Sequence, residues 1–317
     1  MRIDNSTGRA PTRGVITACL AFLIVVWALN FIIGKIALRH MDALTLASFR
    51  LVLAGVFMLL LYPLGLRLPA FAEAARARQQ RRTWRDLWTF LYMGFFGVLV
   101  NQLCFTVGLS LTSVTHSAII VGMAPIYTLL LAVLFRLERA SLRKVLGMTL
   151  ALVGVALMAS DSGLHRRSPT FLGDLITLLG SLGFATYVVL GKRVASRYDA
   201  LTMTTWNFVV GALLVLPLAI QRAIGLGPIS HWSSIAWPGW AGMFYMALFS
   251  SSLAYLFYYW LLRYLEASQL AAFSYLLPAT AAALSILLLG ERGSWLELLG
   301  GALALAGVYW VEVARST

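Results

Sequence analysis

Charge is scarce in this chain. Only 12% of its 317 residues are Asp, Glu, Lys or Arg, and only twelve are acidic. A soluble chain carries about 25% charged residues, so this sequence cannot cover a surface that faces water. That shortage excludes a soluble enzyme, a disordered chain and a coiled coil. Cysteine is scarce too: Cys19 and Cys104 both lie in apolar runs. They make no disulfide framework and match no metal spacing. The motifs HExxH, GxxxxGK(S/T), GxSxG and CxxC are missing. Their absence argues against an enzyme, and against ATP hydrolysis on this chain. Neither a metal nor a cofactor is expected.

What the chain has instead is apolar length. Hydrophobic residues make up 60% and the mean hydropathy is +0.83. A helix needs about 20 apolar residues to cross a bilayer. Stretches of that kind occur at 14–34, 43–66, 87–135 (enough for two helices with a tight turn near 110–113), 145–160, 175–191, 200–221, 223–262, 267–290 and 293–311. The stretch 223–262 opens with a Pro/Gly/Trp loop, so its helix is expected from about Trp240. That makes ten spans of an all-α membrane protein. The alternating pattern of a β-barrel is absent.

The net charge of +13 does not point to nucleic acid, because the basic residues lie between apolar segments. With the N-terminus in the cytoplasm, eighteen Lys/Arg fall on the cytoplasmic side, six on the other, and Arg50 within a span. The positive-inside rule then puts both termini in the cytoplasm of a multi-pass protein of the inner or plasma membrane. Residues 1–13 become a cytoplasmic tail. The apolar run behind Arg2, Arg9 and Arg13 resembles a signal peptide, but nine further spans favour an uncleaved first helix.

The chain also repeats itself. At a shift of 153, Pro125 falls on Pro278, Glu138–Arg139 on Glu291–Arg292, and Gly147 on Gly300; thirteen of 31 positions from Pro125 to Val155 are identical. At a shift of 157, Gly34–Lys35 falls on Gly191–Lys192, and Asp42-Ala-Leu-Thr on Asp199-Ala-Leu-Thr. The expected organisation is one five-helix repeat at 14–160, an external linker at 161–171, and a second repeat at 172–313. Five is odd, so the second repeat enters from the opposite side and the two are inverted. Inverted repeats mark secondary transporters, with the substrate near the midplane between the halves.

Trp27-Ala-Leu-Asn30-Phe31 with Lys35, then Leu46-Ala-Ser-Phe-Arg50, resembles the start of an EamA-type repeat. Pro125, Glu138–Arg139 and Gly147 to Gly154–Val155 resemble its end, and a second copy runs from Gly173 to Val308. The resemblance covers nearly the whole chain and points to the drug/metabolite transporter superfamily. It implies an inner-membrane carrier with ten helices, often an exporter of amino acids or other small metabolites. The copies differ: Trp27, Asn30 and Arg50 become Phe184, Tyr187 and Asn207. The expected cavity is therefore chemically asymmetric.

Several residues are candidates for chemistry. Arg50 is the fully charged side chain set well inside a span, where a charge is expensive and functional by default. It either binds a substrate carboxylate or ties helix ends together through backbone carbonyls. Lys35, at the end of the first span, reads as a snorkelling side chain. No carboxylate reaches the midplane, which speaks against a carboxylate-driven proton pump. His116 is the intramembrane histidine, read either as a proton-coupling group or as one hydrogen-bonded in place. Trp27, Asn30, Arg50, Gln102, His116, Tyr127, Tyr187, Asn207, Tyr255 and Tyr275 form the candidate substrate cavity, suited to a small amphipathic solute. The competing reading is that such residues glue helices together. Glu138 and Glu291, with Pro125 and Pro278, are structural or gating candidates, and each proline either breaks or kinks its helix. Tyr258 reads either as a polar group at mid-depth or, with Tyr259 and Trp260, as part of an interfacial belt. The glycine stripes of the fifth and tenth spans suit close packing and offer a homodimer face.

The expectation is a secondary transporter exporting a small metabolite by alternating access. An intramembrane enzyme acting on lipid and a passive channel are the alternatives.

Overall fold

The computed structural model describes residues 11–67, 84–112, 114–137, 141–161, 171–195, 197–224, 232, 235–267 and scattered positions from 270 to 310. Regular structure among the described residues is all helical. Helix α1 is Arg13–Ala37 and α2 is Ala43–Gly65. Helix α3 has three pieces: Trp84–Gly94, a π-helical stretch Phe95–Val100, and Asn101–Leu111. Then come α4 (Val114–Gly122), α5 (Ala124–Leu134), α6 (Leu142–Asp161), α7 (Phe171–Val194) and α8 (Ala200–Ala223). Helix α9 repeats the pattern of α3, with Trp237–Tyr245, a π-helical stretch Met246–Leu253, and Ala254–Leu261. Six of these (α1, α2, α3, α7, α8 and α9) are long and apolar enough to cross a membrane. The spans expected at 267–290 and 293–311 fall mostly outside the described residues.

Two expectations about these elements need correction, and of the two alternatives left open at Pro125 the structure shows the broken helix. Helix α9 begins at Trp237, not near Trp240, because Pro238 sits in its first turn, where the missing N–H costs nothing and φ is already helical. The fourth expected span is two helices, parted at Met123, and Pro125 stands in the first turn of α5. Tyr258 and Tyr259 are not belt residues; both are buried and pack beside Phe184 and Tyr187 respectively.

The repeated residues do the same local work in both halves. Asp42 Oδ1 accepts from the backbone N–H of Leu44 and Thr45 at the start of α2. Asp199 Oδ1 accepts from Thr202 N–H at the start of α8. Each is an N-cap that satisfies otherwise orphaned donors. Lys35 does not simply snorkel. Its Nζ donates to the carbonyls of Leu109 (2.7 Å) and Thr112 (2.8 Å), at the C-terminal end of α3. Lys192 Nζ donates to the carbonyls of Leu262 (2.8 Å) and Leu265 (2.5 Å), just past α9. Lys192 lies 157 residues after Lys35, and Leu262 and Leu265 each lie 153 after Leu109 and Thr112. A cation on the last carbonyls of a helix satisfies orphan acceptors and offsets the dipole. Lys35→Met and Lys192→Met should therefore lower stability by similar amounts, about 1.5–3 kcal/mol each from the charge-assisted bonds lost. Thermal melting in detergent checks this. A cost in one variant and none in the other would break the equivalence.

The main core runs along α1, α2, α3, α7, α8 and α9. Helices α2 and α8 approach closely at Gly55, where a Cβ would stand 2.7 Å from Ala212 Cβ and 3.2 Å from the Phe208 carbonyl. Ala212 follows Gly55 by 157 residues, so the two helices cross at repeat-equivalent positions.

Candidate functional site

Between α1, α2, α3, the α4–α5 break, α7 and α9 lies a cavity of about 70 Å³. Its walls are aromatic: Trp27, Phe31, Phe105, Phe184 and Tyr255. Its polar lining is Asn30, Arg50, Asn101, Gln102, Ser181 and Ser250. Val121 and Ala124 bring the α4–α5 break to the same space.

The two π-helical stretches sit at this site. An added residue turns the rest of a helix by about 100°, at 3.6 residues per turn, and such turns recur at functional positions. Asn101 and Gln102 follow the first stretch directly, and Ser250 and Ser251 lie within the second. The Ser250 carbonyl accepts from Trp27 Nε1 at 3.2 Å, which fixes the indole across the cavity.

Arg50 is 2% exposed. Its Nη2 donates to Gln102 Oε1 (2.7 Å) and Ser251 Oγ (3.2 Å), and its Nη1 to Thr106 Oγ1 (3.2 Å). Ser251 Oγ in turn donates to Gln102 Oε1 at 2.6 Å. Its partners among the described residues are three side chains from α3 and α9, none of them a backbone carbonyl. No carboxylate pairs with Arg50 among the described residues. Four polar atoms on the cavity residues lack a hydrogen-bond partner: Asn30 Oδ1, Arg50 Nε, Gln102 Nε2 and Ser181 Oγ. Tyr255 Oη donates to Asn101 Oδ1 at 2.5 Å, and Asn101 Nδ2 to the Gly180 carbonyl at 3.0 Å. This chain of bonds ties α9 to α3 and α3 to α7.

The structure thus brings together Trp27, Asn30, Arg50, Gln102 and Tyr255. Tyr127, Tyr187 and Asn207 do not line the cavity. The Tyr127 hydroxyl points along its own helix turn to Met123 Sδ, at 3.5 Å. The His116 side chain, Glu138, Tyr275, Pro278 and Glu291 lie outside the described residues. Sequence reasoning missed Thr106, Ser181 and Ser250. Thr106 had a signal, since it follows Gln102 by one helical turn. Ser250 had none, because its role comes from a π-helical turn that no residue pattern announces.

The model of the EamA-like transporter family matches residues 12–160 and again 171–313. The chain belongs to the EamA-like transporter family. Among EamA relatives and similar chains, an uncharacterized transporter of Archaeoglobus fulgidus is 26% identical over 92% of this chain and 94% of its own. A protein of Streptantibioticus cattleyicolor named a probable terminal-alkyne amino-acid exporter is 26% identical, covering 92% of each chain. A probable amino-acid metabolite efflux pump of Salmonella typhimurium is 24% identical over 90% of this chain and 91% of its own. One crystal structure shares the fold at a TM-score of 0.72 and 17% identity, covering 96% of this chain and 99% of the other. The EamA chain is therefore a multi-pass membrane transporter and not an enzyme.

Proposed function

We propose that this chain is a secondary transporter exporting a small metabolite, such as an amino acid, across the cell membrane by alternating access. On this reading it is a ten-helix protein of two inverted five-helix repeats, 14–160 and 172–313, with both termini cytoplasmic. The observation that carries the reading is Arg50, a buried guanidinium with neutral partners, set in the wall of an aromatic cavity. A cation held away from water without a counter-charge is costly. An arriving carboxylate relieves that cost. The unpaired Asn30 Oδ1 offers an acceptor for an ammonium group, and the rings take an apolar side chain.

The matching lysine caps of α3 and α9, and the two family matches in tandem, support the two-repeat reading. The bias of eighteen basic residues against six supports the orientation. The names of the two amino-acid exporters support the cargo class. The glycine stripes of the fifth and tenth spans support a homodimer face through them.

The test is counterflow. Proteoliposomes loaded with unlabelled mixed L-amino acids should accumulate one labelled amino acid saturably and transiently. Linear flux without saturation would make the protein a channel. No exchange of any amino acid, with lipid converted instead, would make it an enzyme of the bilayer.

A further inference from the structure

Two residues of the cavity have repeat mates that are packed out of sight. Asn30 and Arg50 line the cavity, while Tyr187 and Asn207, each 157 residues later, do not. The mates are fully buried, as is Tyr258. All three are polar, and all three are unsatisfied. Tyr187 Oη faces the Asn207 side chain, yet Asn207 Oδ1 and Nδ2, Tyr187 Oη and Tyr258 Oη complete no hydrogen bond of ordinary length and angle. Burying unpaired polar atoms among hydrocarbon is expensive. A permanent core would have replaced them with Phe and Leu.

Their place is informative. One layer of rings parts them from the cavity: the Tyr187 ring lies 6.3 Å from Phe184 and 5.7 Å from Tyr255, and Tyr258 lies 5.3 Å from Phe184 and 5.5 Å from Trp27. Trp27 also borders a second, apolar cleft of about 10 Å³ that reaches Tyr258. Leu277, which follows Ala124 by 153 residues, lines both the cleft and the cavity. Direction follows from counting crossings. Asn30 lies beyond Trp27 toward the C-terminal end of α1, the first crossing; Tyr187 lies beyond Phe184 toward the C-terminal end of α7, the sixth. An odd and an even crossing end on opposite faces. The cavity leans toward one face, and the buried cluster toward the other.

We propose that Tyr187, Asn207 and Tyr258 form a second binding half-site, closed in this conformation, that takes the cargo's carboxylate when the transporter faces the opposite side. This rests on the alternating-access reading. When the two repeats exchange conformations, the Tyr187–Asn207 side opens and the Asn30–Arg50 side packs. The donors then offered are the Asn207 amide and two phenolic hydroxyls, all neutral. The carboxylate is held by hydrogen bonds alone there, and more weakly than beside a guanidinium.

The test uses the full chain, with Cys19→Ser and Cys104→Ser as background, and adds Asn30→Cys or Asn207→Cys. A charged, membrane-impermeant methanethiosulfonate is applied to either face of vesicles during amino-acid counterflow. Asn30→Cys should react from one face and Asn207→Cys from the other only. An inert Asn207→Cys, beside a reactive Asn30→Cys and a parent that exchanges amino acids, overturns the half-site and leaves the transporter reading intact. If Asn30→Cys is also inert and the parent exchanges nothing, both readings fall. Tyr187→Phe keeps the ring and so guards against misfolding. It should raise KM roughly tenfold at the Asn207 face, the worth of one charge-assisted hydrogen bond, and leave KM at the other face unchanged. Equal KM values at both faces, matching the parent, overturn the proposal as well.

Discussion

Arg50→Ala should lower kcat/KM for counterflow by roughly 10- to 150-fold, the value of one charge-assisted hydrogen bond of about 1.5–3 kcal/mol. The loss has two sources. The cargo forfeits the Arg50 guanidinium on the cavity wall, and Gln102, Ser251 and Thr106 lose the group that orders them. Arg50→Lys should recover little. A lysine offers a point charge and cannot bridge α3 and α9 with a planar fork. Proteoliposome exchange, with Tm recorded beside it, separates the outcomes. A variant that melts like the parent but fails to exchange supports the anchoring role. Full exchange in Arg50→Ala would reduce the residue to a helix tie.

Gly97→Leu should leave little folded protein. Gly97 lies in the π-helical stretch of α3, and a Cβ there would stand 2.1 Å from the Tyr187 ring. The ring has no room to retreat, being packed against Phe184, Tyr255 and Tyr259. Overpacking of this kind costs about 1–3 kcal/mol, and more where backbone must move. Gly97→Ala should already lower Tm, and adding Tyr187→Ala to Gly97→Leu should recover part of the loss by making room. Size-exclusion profiles and melting in detergent give the answer. Wild-type behaviour of Gly97→Leu would mean that α3 and α7 are not packed as described.

Much of the frame was legible because it rests on short-range physics. Membrane spans show as runs of uncharged residues, and the Asp42 and Asp199 caps show as a repeated Asp-Ala-Leu-Thr. Arg50 stood out because charge inside an apolar helix has to be accounted for. The rest depends on geometry that pattern does not encode. A π-helical turn has no residue signature, so the place of Ser250 on the cavity was invisible. The role of Lys35 needs the end of α3 to lie within reach, which only packing decides. Tyr187 and Asn207 expose a deeper limit. Their chemistry matched the cavity residues, yet they are packed away from it. Which of two repeat-related residues faces the cavity is set by packing, which residue type alone does not fix. The aromatic cluster Tyr258–Tyr259 was misread for a related reason. Hydrophobicity alone does not tell lipid from a neighbouring helix.

The central claim is that Arg50 recognises a cargo carboxylate. The measurement that tests it most directly compares two inhibitors of exchange, an L-amino acid and its carboxamide, on the parent and on Arg50→Ala. The carboxamide keeps the shape and the ammonium group but removes the negative charge. The parent should favour the acid by roughly tenfold or more, as expected for a charge-assisted bond, and Arg50→Ala should favour neither. The same preference for the acid in both proteins would contradict the assignment and place carboxylate recognition elsewhere.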